Sequence, residues 1–509
     1  MIFIYHKDDK VIRTENASGY VGWNVAKALV ELAKTHPEEI LVWCDERLEG
    51  NLNVSVLPEL MHHKRLLYSF DASGRNYIDP IVGFAEESSP FLRVKREVKY
   101  PTWQMSGNVG MVHAAAVIAS EPYLNVNDNF DYFLNSFAKR AMIAGLFCYS
   151  HPKLLKGDFP KIEWKHADTY ETFRFVRQHY RMRWITLLLL NLILFKKNYA
   201  VLPYVRSFFY ANRKFNEKSF ANISIESARN VISEGTIDVM IPTIGRREHF
   251  HNVMKDLSAQ TFLPKRVIVV EQNPLEGSVS ELDFLKTETW PFEIDHVFTH
   301  RSGACAARNV GLMKVESEFV FMADDDIRFG PTLIEDVFGY LRKTGNEIIQ
   351  VSGPQHNETV GFSEVIQHAV FSSGLAFVKR DALDGVWFSP GFEFGYGEDK
   401  DFGIQLRNKG HDVIYVPSLR VLHLKAPIGG FRLKPKLQWN DDKPAPKPSP
   451  TVMLYMIRNM TNEQVKGYKV VHFFKNYGKN GNINPFSAYR NFKKRWQKSV
   501  YWANELAKR

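Results

Sequence analysis

The sequence predicts an α/β protein: two α/β units in tandem, the second with a mostly parallel central sheet, followed by a helical basic tail. Three observations point there. The chain opens on strand, helix, strand, with IFIY, an amphipathic stretch and ILVW. The same order returns from Ile237, with IDVMIP, a second amphipathic stretch and RVIVVE. At 509 residues the chain also exceeds one hydrophobic core, by the rough figure of 100 to 200 residues per domain.

In the first unit, residues 1–160, Val25, Ala28, Leu29 and Leu32 share one helical face before the strand that ends at Cys44 and Asp45. Residues 161–233 mix Arg, Lys and aromatics around WITLLLLNLILF and read as a helical connector. That apolar run is shorter than the roughly 20 residues of a membrane span, so none is expected. In the second unit, residues 234–432, Phe250, Val253, Met254 and Leu257 form the helical stripe between its first two strands. Residues 433–509 begin with the spacer DDKPAPKPSP, where proline's fixed backbone angle and missing donor oppose regular structure, and continue as a basic, aromatic helical tail.

Two segments also correspond. NDNFDYFLNSFAKRAMIAGLFCYSHP, near Asn127, can be laid against GEDKDFGIQLRNKGHDVIYVPSLRVLH, near Gly397, which sets Asn129 opposite Asp399. On that comparison the first unit lacks the carboxylate that the second carries.

Hydrophobic residues at 45% and charged residues at 24% exclude wholesale disorder. The net charge of +10 favours anionic partners, but no nucleic-acid reading motif accompanies it, so nucleic acid is not an expected partner. Cys44, Cys148 and Cys305 lie far apart, outside any zinc-ligand or disulfide pattern. The start MIFIYHKDDK has no secretory-signal pattern, and a cytoplasmic location follows as the expectation. FRFVRQHYRMRW and the tail from Asn491 suit peripheral association with the inner face of an anionic membrane; packing of the tail across the second unit is the alternative.

The chemistry concentrates in the second unit. EFVFMADDDIRF runs a buried strand into Asp324, Asp325 and Asp326. Three adjacent carboxylates repel one another unless they hold a cation, and Mg²⁺ is commonly shared between such acids and substrate phosphates. An isolated DDD also reads as a solvated helix cap, but its place at the carboxyl end of a central strand favours a ligand site. FEFGYGEDKDFG delivers Glu398 and Asp399 to a helix start, where acids also complement the helix dipole. Its Phe394 and Gly397 suit close packing against a sugar ring, and a carboxylate placed there can act as a general base. His423, in LRVLHL, is a mixed-set ligand acceptable to Mn²⁺ or otherwise an ordinary strand histidine. Pro242, Thr243 and Glu271 end the first two strands at the binding edge, and Arg301 and Arg308 precede the DDD strand with guanidinium groups suited to phosphate.

Together IPT with Gly245 and Arg246, LSAQT, VVEQNP, ARNVGL, ADDD, SSGLAFVKRDAL, GED and VLH resemble glycosyltransferase family 2 with the GT-A fold, from Thr236 to Leu424. The resemblance implies a metal-dependent inverting enzyme that moves a sugar from a nucleoside-diphosphate sugar to a saccharide or lipid-linked saccharide, in bacterial-type cell-surface polysaccharide or glycolipid synthesis. It implies Asp399 as catalytic base with Glu398 beside it, and Pro242, Thr243, Glu271, Arg308 and Asp324 around the donor nucleotide. It further implies Asp325, Asp326 and His423 around Mn²⁺ or Mg²⁺, and Gly374, Phe394 and Gly397 toward the acceptor and sugar. Here Ala323 precedes three acids where the family pattern has an acid, any residue and one or two acids, which leaves open whether Asp325 or Asp326 meets the metal. The family pattern covers the first unit poorly, which leaves a degenerate GT-A-like copy or an unrelated α/β module, expected to bind acceptor or organise the enzyme rather than catalyse. The alternatives are a nucleotidyltransferase, for which IPTIGRRE lacks a glycine-rich phosphate loop with lysine, and a non-catalytic carbohydrate-binding protein.

Overall fold

The structure of the protein, a computed structural model, describes residues 1–425, 435–477 and 484–509. Its contacts define two compact units. The first takes Met1–Arg229 with Glu364–Gln367 and Met460–Lys475; the second takes Asn230–Ser363, His368–Asn459 and Asn476–Arg509. The expected boundary between 432 and 433 lies outside the described residues.

In the first unit the sheet comprises β1 (Ile2–Lys7), β2 (Lys10–Glu15), β3 (Ile40–Asp45), β4 (Leu66–Phe70), β5 (Tyr100–Pro101), β6 (Val109–His113) and β7 (Phe147–Ser150), in the order β2-β1-β3-β6-β4-β7-β5. The helix Val25–Thr35 buries Val25, Ala28, Leu29 and Leu32, the stripe its periodicity predicts. In the second unit β8 (Ile237–Thr243), β9 (Arg266–Gln272), β10 (Glu293–Thr299), β11 (Phe319–Ala323), β13 (Ile348–Ser352), β15 (Leu375–Lys379) and β16 (Ile414–Arg420) run in the order β10-β9-β8-β11-β15-β13-β16. Two short strands, β12 (Ile327–Arg328) and β17 (Leu422–His423), form an antiparallel pair. The dipeptide strand β14 (Ile366–Gln367) groups with the first unit, where the Gln367 side chain bonds the Cys148 backbone. β11 reads FVFMA without a polar residue because both its faces are covered, and all five residues are buried.

Five strands of each sheet follow one plan. In β1-β3-β6-β4-β7 the successive pairings are parallel, antiparallel, antiparallel and parallel. In β8-β11-β15-β13-β16 they are the same. The chain visits the five positions in the same sequence in both units. The plans diverge at the outer edge, where β2 returns antiparallel to β1 while β9 and β10 extend the second sheet in parallel. The first unit is thus an α/β domain that shares the five-strand plan of the second, with a changed edge.

The connector is helical, with Thr169–His179, Arg183–Asn191 and Val201–Ser207 in the first unit. Among the described residues no helix is long and apolar enough to cross a membrane. The aromatic residues expected at a lipid surface are in part core: Phe173 and Phe175 are buried in Thr169–His179, and Trp496 is buried in the tail helix Pro485–Leu506.

Candidate active site

Parallel strands carry their carboxyl ends to one edge of a sheet, and here β8, β9 and β11 bring Thr243, Gln272 and Asp324 to an open cleft of about 430 Å³. Its lining includes Pro242, Thr243, Arg308, Asp324, Asp325, Asp326, Phe394, Glu398 and His423 from the expected set. Glu271, Gly374, Gly397 and Asp399 stand outside that lining.

The three aspartates divide their work. The β8–β11 register sets Thr243 level with the acidic turn, and its hydroxyl donates to Asp325 Oδ2 at 2.7 Å. Arg246 pairs with Asp325 and reaches Asp326 Oδ2 at 3.0 Å. Burial pushes the Asp325 carboxyl above the usual aspartate range, against the pull of Arg246 and Thr243. The β12–β17 pair registers Ile327 against His423, which brings His423 Nε2 to 3.1 Å from Asp326 Oδ1. That hydrogen bond holds the imidazole above its ordinary value. Asp324, Asp326 and His423 each offer a ligand atom within 4.8 Å of the others. Two carboxylate oxygens and an imidazole nitrogen are a donor set that fits Mn²⁺ or Mg²⁺. Asp325, expected beside Asp326 as a ligand, lines the same cleft but is bonded to Thr243 and to Arg246, which Asp326 shares.

Arg308 enters from the helix Ala304–Leu312, its Nη2 lying 3.3 Å from Asp324 Oδ1. Burial opposes its charge, but Asp399, Asp324 and Glu398 outweigh that and hold the guanidinium firmly protonated. The N-terminus of the same helix is already satisfied: Glu393 accepts from the N–H groups of Cys305 at 3.1 Å and Ala306 at 2.9 Å. This approach needs glycine at 303, where φ is +134° and a Cβ would fall 2.3 Å from the Glu393 carboxyl carbon.

Glu398 and Asp399 open the helix Glu398–Arg407, after Gly397 at φ +117°. Asp399 accepts from Ser373 Oγ at 2.6 Å, and burial pushes its carboxyl above the usual range despite nearby Arg308. Burial also raises Glu398, with the Asp399 charge adding to it. Gly374 lies behind Asp324: its carbonyl accepts the Asp324 N–H at 3.3 Å, and a Cβ there would stand 2.1 Å from Asp324 Oδ2. Glu271 is engaged with Ser280 Oγ at 2.5 Å, the Glu281 N–H at 2.9 Å and His296 Nε2 at 2.9 Å. Burial works against its charge, yet those bonds keep its carboxyl below the usual glutamate range. Its neighbour Gln272 lines the cleft and donates to the carbonyls of Arg301 and Gly303. Arg246, Ser373 and Glu393 are the structural members that sequence reading left without a role. Only Arg246, three residues past the end of β8, had a signal in its position.

The first unit holds counterparts of two of these carboxylates. Pairing at the strand ends sets Cys44 against Val109 as Ala323 is set against Leu375, so Asp45 takes the place of Asp324. Asp131 is the second residue of its helix, Phe130–Ala141, as Asp399 is of Glu398–Arg407. It accepts from the Gly107 N–H at 2.7 Å, two residues before β6, just as Ser373 stands two before β15. The counterpart of Asp399 is therefore Asp131, not Asn129, which caps that helix. Arg47 grips both oxygens of Asp45 at 2.8 Å, so a fixed guanidinium covers the carboxylate that corresponds to Asp324.

Residues 238–397 match the family model described as glycosyl transferase family 2. They form a family 2 glycosyltransferase domain. Glu398, Asp399 and His423 lie just beyond the matched residues of that domain. A search of the curated proteins finds no match. Among solved structures, this chain is similar to TarS of S. aureus, at 14% identity and a TM-score of 0.35, over 53% of each chain. It is similar to residues 1–349 of the same protein in complex with UDP-GlcNAc, at 15% identity and a TM-score of 0.36, over 53% of this chain and 81% of that one. It is also similar to the mannosyltransferase PcManGT of Pyrobaculum calidifontis in complex with GDP-Man and Mn²⁺, at 14% identity and a TM-score of 0.31, over 55% and 77%. The chain thus spans about half the length of the first of these TarS chains.

Proposed function

We propose that the family 2 domain transfers one sugar from a nucleoside-diphosphate sugar to a hydroxyl of a saccharide or lipid-linked saccharide, with inversion at the anomeric carbon, in the synthesis of a cell-surface polysaccharide or glycolipid. The observation that carries this reading is the shared position of Asp324. It belongs to the cation-type group with Asp326 and His423, and it touches Arg308, so that ligands for a metal and a guanidinium converge on one cleft.

Pro242 and Thr243 take the nucleotide base at the end of β8, with Glu271 bracing the neighbouring strand end from behind. Asp324, Asp326 and His423 hold Mn²⁺ or Mg²⁺, which when bound supplies positive charge against the leaving diphosphate. Arg308 donates to diphosphate oxygens and so stabilises the charge that builds as the sugar leaves. Phe394 and Glu398, both on the lining, meet the sugar face and hydroxyls. The acceptor oxygen bonds to the anomeric carbon from the face opposite the diphosphate as the carbon–diphosphate bond breaks, and its proton passes to Asp399. General-base help of this kind contributes about 10² to 10⁴ in rate.

The test is a hydrolysis screen of uridine, guanosine and thymidine diphosphate sugars with the full chain and Mn²⁺ or Mg²⁺. The reading expects nucleoside diphosphate release from one donor class and none once a chelator is added. No release from any donor at high enzyme concentration would sink it.

A further inference from the structure

The short helix Val201–Ser207 of the first unit packs Tyr204 toward the core but turns a second apolar face outward. Its outer face carries Val201, Leu202, Val205, Phe208 and Phe209, an apolar set at helical spacing that continues one turn past the helix end. Leu202 is 72% and Phe209 85% exposed. The helix residue turned fully inward is Ser207. An amphipathic helix in water does the reverse. Leu194 and Tyr199, at 55% and 72% exposure, lie within the fifteen residues before Phe209, so the exposed apolar residues cluster along one segment of chain.

Cations interrupt this surface. Lys197 and Arg206 are exposed within the same stretch, and among the described residues neither has a carboxylate within ion-pair distance. A second copy of the chain pressed onto the face would bring like charges together. An anionic lipid surface would instead neutralise them while the apolar side chains enter the headgroup boundary.

We infer that residues 194–209 are a membrane-docking surface for anionic lipid, held at the interface and not across it. This does not depend on the sugar-transfer reading and places the first unit, not the tail, at the lipid.

The experiment is co-sedimentation of the full chain with vesicles of phosphatidylcholine alone and of phosphatidylcholine with phosphatidylglycerol. The wild-type chain binds the anionic vesicles more tightly, and binding falls as salt rises from about 0.1 M to about 0.5 M. Leu202→Asp and Phe209→Asp each lower partitioning at least about ten-fold, because each removes a large apolar side chain from the lipid phase. Lys197→Ser with Arg206→Ser removes the salt dependence. All four side chains are exposed, so thermal unfolding of the variants stays at the wild-type temperature. Wild-type partitioning by Phe209→Asp overturns the inference. So does a wild-type dimer in sedimentation velocity that Phe209→Asp converts to monomer without vesicle binding by either protein, since the face would then belong to a second copy.

Discussion

Thr243 Oγ1 donates to Asp325 Oδ2 across 2.7 Å in a buried setting, and this bond, together with the Arg246 guanidinium, draws Asp325 away from the cation group formed by its two neighbours. The middle aspartate is therefore a brace for the acidic turn. Asp325→Asn is expected to cost roughly 1–3 kcal/mol in urea unfolding, the price of a weakened buried network, while nucleotide binding keeps its metal dependence. Complete loss of that dependence in Asp325→Asn, with the fold intact, would move Asp325 back among the ligands.

As the proposed base, Asp399 is expected to set the acidic limit of turnover. A general base works only when deprotonated, and burial raises this carboxyl above the usual aspartate range, so kcat falls as pH drops through a value higher than that of an ordinary aspartate. Asp399→Asn should retain nucleotide binding and lose turnover by about 10² to 10⁴. A pH–rate profile of Asp399→Asn that matched wild type in height and shape would remove this residue from the base role.

Gly374 makes room for the Asp324 carboxylate. A methyl group there meets Asp324 Oδ2 at 2.1 Å, and the carboxylate must shift from its place near Asp326 and His423. Gly374→Ala is expected to keep the circular-dichroism spectrum of the wild type and to weaken Mn²⁺-dependent nucleotide binding about ten-fold or more, as a displaced ligand does. Calorimetric titration with nucleoside diphosphate distinguishes this from an unchanged site.

Asp131 links the first unit to pH. Burial raises its carboxyl from an ordinary 3.8 to about 7. The folded chain then binds one more proton than the unfolded chain between those values, so stability falls as pH rises across that window and the loss is complete above it. A shift of this size corresponds to roughly 4 kcal/mol. Asp131→Asn, which keeps the acceptor for the Gly107 N–H, should be more stable than wild type above neutral pH and similar to it near pH 4. Denaturant midpoints at the two ends of the window test the sign.

How much was legible in the sequence follows from how local the physics is. Strand β11 and its DDD could be read directly, since five apolar residues followed by three acids need no distant partner to be interpreted. The helical stripes Val25–Leu32 and Phe250–Leu257 were equally plain from spacing. The role of each aspartate was not. It depends on Thr243 and Arg246, about eighty residues earlier, and on a two-residue strand that sets His423 against Asp326 from the other side. The pairing of Asn129 with Asp399 slipped by two residues because the loops before the two helices differ in length, whereas the helix starts align Asp131. The outward apolar face of Val201–Ser207 was not legible because apolar spacing alone does not say which side of a helix meets water.

The central claim is that Asp324, Asp326 and His423 hold one divalent cation against a diphosphate. The direct measurement is the affinity of the full chain for UDP and GDP, with Mn²⁺ and with chelator, in wild type, Asp326→Asn and His423→Ala. The account predicts binding that needs Mn²⁺ in wild type and weakens by about 10- to 100-fold in both variants. Equal affinity in chelator and in Mn²⁺, unchanged by either substitution, would contradict it.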